Sequence, residues 1–218
     1  MTIPAFCDLL RASGIQGVDG YQKKLQDNEK DAQRLQDLGY EGEVALAFAQ
    51  HGWSITMRES PDLEGRLNGI YLGIEVKHFR FKESHDPVED AARESGGEEF
   101  SLIPFLNETE GNEQAWYQMY RFAVKNAHQY VPGEFNVLFF WSSTQAHCDI
   151  SLLTAANIYD EALQSGQCSS AMRNLSAMMI RAVWGRYGSI FLQPLPHAEK
   201  PLPPDILARL DDIRDPSA

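Results

Sequence analysis

Near the middle of the chain, residues 135–141 read FNVLFFW, an almost unbroken apolar run between turn signals. A strand with one wet face alternates apolar and polar side chains, so a run without alternation predicts a central strand buried on both faces. Such a strand needs a cover above and below, which points to a sheet layered between helices. Around it the sequence predicts a polar, exposed helix over 19–38, a second helix over 40–51 stopped by Gly52, and strands over 53–59 and 70–79. A helix over 115–130 precedes the apolar run, and helices over 150–164 and 170–184 follow it. A late strand covers 189–195. The five prolines between Pro194 and Pro204 read as an extended tether to a short helix over 204–213. The order α–β–β–β–α–β–α–α–β predicts an α/β fold, a mixed β-sheet flanked by helices.

With 218 residues, 43% of them hydrophobic, the chain can build the core of one ordinary domain. No stretch approaches the ~20 apolar residues that span a bilayer, so no membrane partner is expected. The start, MTIPAFCDLL, lacks the basic opening and long apolar region of a secretory signal. The three cysteines, Cys7, Cys148 and Cys168, are far apart with no CxxC pair, which fits a reduced, cytoplasmic protein. A net charge of −12 speaks against a polyanionic partner until its distribution is considered. Residues 83–113 hold ten acidic side chains and one basic, Arg93, so this stretch carries −9 and leaves only −3 for the rest. That segment contains Ser95-Gly96-Gly97 and no sustained period, and it reads as a mobile acidic flap. The expected organisation is a helical extension over 1–39, a main domain over 40–195 with the acidic insertion at 83–113, and a proline-rich tether with a terminal helix over 196–218.

The strand over 70–79 carries the chemistry. Side chains alternate along a strand, so Ile70, Leu72, Ile74 and Val76 share an apolar face while Tyr71, Gly73, Glu75 and Lys77 share the other. A solvated polar face accounts for most Glu-x-Lys triplets, but two neighbours argue for more. Pro61-Asp62 lies upstream, past a turn-like Gly65…Asn68-Gly69, and a β-turn-β path brings Asp62 beside Glu75. Two carboxylates at close range repel unless a hard cation lies between them. A lysine on the same face can stabilise charge on a phosphorane or handle the attacking water. On the helix over 40–51, Val44, Ala45, Phe48 and Ala49 make one apolar face; Glu41 falls in the middle of it and Glu43 nearly opposite. An unpaired carboxylate there is costly to bury, so Glu41 calls for a partner. Alternatively, it occupies a first helical turn, where acids are favoured by the macrodipole.

This ordered set resembles the PD-(D/E)XK nuclease superfamily: helix Glu41, Gly52-Trp53, a strand, Pro61-Asp62, a turn, then Ile74-Glu75-Val76-Lys77. It is similar to the branch containing archaeal Holliday-junction resolvases, in which a helix glutamate precedes a Gly-aromatic pair. The resemblance covers about residues 40–143 and implies a restriction-endonuclease-like fold with Mg²⁺- or Mn²⁺-dependent hydrolysis of nucleic acid, DNA before RNA. It implies Asp62 and Glu75 as metal ligands, Lys77 as the catalytic lysine, and Glu41 as an auxiliary ligand or water holder. The acidic insertion departs from compact members. Dimerisation to cut both strands is common on this fold, which implies a homodimer.

Arg66, Arg80 and Lys82 cluster around the motif in sequence and are candidates to line a nucleic-acid groove. On the helix over 115–130, Arg121, Lys125 and His128 fall at about 0°, 40° and 340° on the wheel, opposite Met119, Phe122, Ala123, Ala127 and Tyr130. They can contact phosphates, or simply form a solvated face. Lys125 and Gln129 also resemble the lysine and glutamine positions of this helix in several branches. His147 and Cys148 are adjacent and point to opposite faces of a strand, which disfavours a Cys–His nucleophile. Asp86 and Glu89 read as parts of a solvated loop. The six histidines lack metal-ligand spacing, and no phosphate-cradling glycine loop is present. The rival expectation is a non-catalytic acidic protein that offers its acidic loop to a basic partner protein.

Overall fold

The computed structural model describes residues 2–79, 115–142, 149–184 and 187–213. Six strands form one mixed sheet in sequence order: β1 (Ser54–Met57), β2 (Leu63–Leu67), β3 (Ile70–Phe79), β4 (Phe135–Ser142), β5 (Ala177–Trp184) and β6 (Tyr187–Pro194). The first three pair antiparallel, β3–β4 and β4–β5 pair parallel, and β6 returns antiparallel to β5. Helices α1 (Ile3–Ala12), α2 (Val18–Asp27), α3 (Ala32–Gln50) and α6 (Pro204–Asp211) contribute to the core on one sheet face. Helices α4 (Ala115–Lys125) and α5 (Asp149–Ser165) cover the other.

The apolar run at 135–141 is the two-sided central strand its sequence predicts. Val137, Phe139 and Trp141 enter the α3 core, while Leu138 and Phe140 enter the α4–α5 core. The helix expected over 170–184 is corrected: a 3₁₀ turn at Ala171–Asn174 leads into strand β5. Ala177 and Met179 face α3, and Met178 and Ile180 face α4 and α5, all fully buried. Alanine, methionine and arginine are good helix formers, but burial on both faces leaves no polar period, and pairing with β4 and β6 outweighs propensity.

The single exposed helix expected over 19–38 is corrected as well. It is broken between α2 and α3, where Asn28 hydrogen-bonds back to the Lys24 carbonyl at 2.8 Å. Asp31 then caps α3, accepting from the Arg34 amide at 2.9 Å. Nor is this region a solvated surface. Val18, Tyr21 and Leu25 recur at helical spacing and are buried in the α3 core with Cys7 and Leu10 of α1. Helix α3 runs unbroken across Gly39 and Tyr40. Gly65 lies inside β2, so the turn before β3 consists of Asn68 and Gly69 alone. Among the described residues no helix is long and apolar enough to cross a membrane. The 83–113 insertion and His147-Cys148 lie outside the described residues.

Candidate functional site

The site begins with a tight hairpin. Asn68 and Gly69 both have positive φ (52° and 82°), as a two-residue turn between antiparallel strands requires. That turn sets the register at Leu67↔Ile70 and ends it at Leu63↔Ile74. One further step places Asp62 across from Glu75. There β2 has stopped, and the Val76 N–H, which has lost its strand partner, donates to Asp62 Oδ2 at 2.9 Å. Pro61, joined to Ser60 by a cis peptide bond, lies over Gly73, where a Cβ would stand 3.3 Å from the ring. Asp62 and Glu75 are both buried, Glu75 to 1% exposure.

Glu75 is the electrostatic centre. Its Oε1 pairs with the Lys77 ammonium two residues on, whereas its buried Oε2 has no hydrogen-bond partner among the described residues. Burial first, then the Asp62 carboxylate, raises the Glu75 pKa, and Lys77 opposes the rise. Glu41, on α3, repeats the pattern. Burial and then Asp62 lift it to about 7, against the pull of the Lys24 ammonium 3.3 Å away. Helix α3 starts at Ala32, more than two turns before Glu41, so the first-turn macrodipole explanation of this acid is corrected. Asp62 is therefore the charge that both neighbouring carboxylates sense.

The outlying residues fall into groups. Arg66 lies on the same sheet face as Glu75, exposed, bound to Glu64 at 2.8 Å and over the Tyr71 ring at 5.4 Å. Arg121 and Lys125 are exposed on α4, and Met119 and Ala123 are buried beneath them. Gln129 keeps a buried Oε1 with no partner among the described residues. Glu43 is half-buried. Arg80 and Lys82 lie outside the described residues.

Sequence reasoning missed three neighbours. Lys24 lines, with Tyr21, Glu41 and Arg58, a cavity of about 220 Å³ between α2, α3 and the β1–β2 connection. His78 Nδ1 lies 2.9 Å from Asp37 Oδ1 and its ring lies 4.4 Å from that of Tyr40, which ties the end of β3 to α3. Asp37 and Glu41 are four apart, one helical turn, which was the available signal for their shared face.

Among the described residues no group of three or more His, Cys, Asp or Glu side chains is placed to hold a metal ion. The donor set still fits a hard cation. A carboxylate pair is buried at one strand end, one oxygen of it has no donor among the described residues, and burial, then the Asp62 charge, raises two proton affinities that a cation would lower. No protein-family model, curated protein or solved structure matches this chain.

Proposed function

We propose that this chain is a metal-dependent nuclease of the PD-(D/E)XK type on a restriction-endonuclease-like fold, hydrolysing phosphodiester bonds in nucleic acid, with DNA as the first substrate to test. The observation that carries the reading is the buried Oε2 of Glu75, without a hydrogen-bond partner among the described residues, across from Asp62 and with Lys77 on the same strand. The antiparallel hairpin leading into a parallel β3–β4 pair, with α3 on one face and α4 on the other, supports the fold assignment.

Asp62 and Glu75 would hold Mg²⁺ or Mn²⁺, with Glu41 as an auxiliary ligand, and the bound ion supplies charge neutralisation at the phosphate and a more acidic water. The chain's own residues do the rest. The Val76 amide fixes the Asp62 carboxylate in orientation. Lys77 cannot ligate a cation; its ammonium steadies Glu75 and stands ready to stabilise negative charge on the phosphate oxygens as it develops. Arg66, Arg121 and Lys125 are exposed cations suited to backbone phosphates.

The test is calorimetric Mn²⁺ titration beside plasmid nicking. Wild type is expected to bind the ion and to cut, and Glu75→Ala to do neither. Failure of wild type to bind Mn²⁺ or to cut any nucleic acid sinks the reading. The −9 charge of residues 83–113 would then make an acidic protein that docks on a basic partner the leading alternative.

A further inference from the structure

Lys24 belongs to no motif, yet it is the cation paired with Glu41, at 3.3 Å and only 21% exposed. The Asp62 charge is felt at Glu41, so the ammonium neutralises a carboxylate that, as an auxiliary ligand, a divalent ion would otherwise neutralise. The same lysine borders the cavity of about 220 Å³. Gly20, Tyr21 and Lys24 follow one another at helical spacing and turn one stripe of α2 toward this space, with Gly17, the residue before the helix, beside them. Gly20 is exposed at the cavity rim, and a Cβ there would meet nothing within 4 Å, so the position has room for a larger side chain. Across from α2 stand Arg58, 52% exposed and resting on Glu64 at 2.9 Å, and Glu59. Glu64 is also held by Arg66 at 2.8 Å, so it keeps a cation when Arg58 turns toward the cavity. While Glu41 is bound to Lys24, the lining is balanced between two cations and two acids. Once Glu41 turns to a metal ion, two cations face one acid.

Resting on the nuclease reading, we infer that the cavity is a phosphate subsite for the substrate strand and that Lys24 is its displaceable cation. Without the metal ion, Lys24 holds Glu41. With it, Lys24 is released into the cavity and, with Arg58, takes a backbone phosphate of the nucleic acid. The residue thus couples metal loading to strand binding with opposite signs: it competes with the ion and attracts the strand.

Three variants test this: Lys24→Gln, Lys24→Arg and Gly20→Leu. The readouts are Mn²⁺ titration by calorimetry and anisotropy of a labelled DNA oligonucleotide over a salt series, the latter with Mn²⁺ in a Lys77→Ala background so that the strand stays intact. Lys24→Gln is expected to bind Mn²⁺ about three- to tenfold more tightly, as removal of one part-buried competing charge allows. It should bind DNA more weakly, with the salt slope lowered by about one. Lys24→Arg should keep the wild-type salt slope. Gly20→Leu, which adds bulk at the cavity rim, should weaken DNA binding and leave Mn²⁺ affinity unchanged. Mn²⁺ affinity unchanged or reduced in Lys24→Gln overturns the inference, as does an unaltered salt slope. If wild type itself binds no Mn²⁺, the nuclease reading falls first and takes this inference with it; Mn²⁺ binding in wild type that ignores Lys24 sinks the inference alone.

Discussion

Lys77 and Glu75 share a strand face and an ion pair, yet their substitutions should separate cleanly. Lys77→Ala is expected to retain Mn²⁺ binding and to lower the cleavage rate by ~10²–10³-fold, the usual size of a lost charge-stabilising contact. Lys77→Arg distinguishes roles: an active variant indicates electrostatics, and an inactive one indicates proton transfer or tight geometry, since arginine stays charged near neutral pH. Full activity in Lys77→Ala on every substrate would sink the mechanism. Glu41 yields a prediction in pH. Its folded value of about 7 stands above the ordinary 4.5, so the folded chain holds this proton more tightly than the unfolded one. The associated stability is complete below about 4.5 and is lost as pH rises through about 7, an effect on the order of 3 kcal/mol. Thermal melts without divalent ions should therefore fall from pH 5 to pH 8 in wild type and fall less in Glu41→Gln. A fall of equal size in the variant would show that Glu41 is not the group responsible.

Between elements, the contact that sets Asp62 is a crossing of backbones rather than a pair of functional side chains. A methyl group at Gly73 would stand 2.7 Å from Asn136 Oδ1 and 3.3 Å from the Pro61 ring. Asn136 cannot give way cheaply. Its Oδ1 accepts from Val131 N–H, and its Nδ2 donates to the carbonyls of Val131, Glu134 and Asn174, which staples β4 to the turns beside it. Gly73→Ala should consequently push Pro61 and Asp62 away from β3, destabilising by ~1–3 kcal/mol and weakening Mn²⁺ binding. Urea denaturation and calorimetry on the same variant check both effects; wild-type Mn²⁺ affinity would show that Asp62 is positioned by something else. The hairpin itself was legible, because Asn-Gly between apolar-alternating runs is a strong turn signal. Strand β5 was not, because its neighbours on both faces are distant in sequence.

In the molecule as a whole, α1 and α2 share their core with the sheet, and Leu25 is 2% exposed within it. Tyr21 donates to the Leu38 carbonyl at 2.5 Å, and a Cβ at Gly42 would strike Phe6 and Tyr21 at 2.6–2.7 Å, so the three helices pack as one layer. Leu25→Ala should cost roughly 2–5 kcal/mol, felt by the entire fold. Tryptophan fluorescence and far-ultraviolet dichroism should report one coincident, shifted urea transition. Two separated transitions would mean that the N-terminal helices melt as an independent extension.

The features readable along the chain are local or periodic. Alternation told the two faces of β3 apart, unbroken apolarity marked β4 as central, and the α3 wheel turned Glu41 inward, because backbone geometry repeats wherever the chain lies. The order Asp62, Glu75, Lys77 was likewise readable, since one short hairpin joins them. The rest follows from contacts between elements. Pairing on both sides made β5 a strand, and packing into the core divided 19–38 between two helices. Such contacts also brought Lys24 to Glu41 and His78 to Asp37. These partners come from separate elements, and no period in one element records the charge that another will place against it. Burial then gave the Lys24–Glu41 pair its weight, since a carboxylate cut off from water must find a proton, an ammonium or a metal ion.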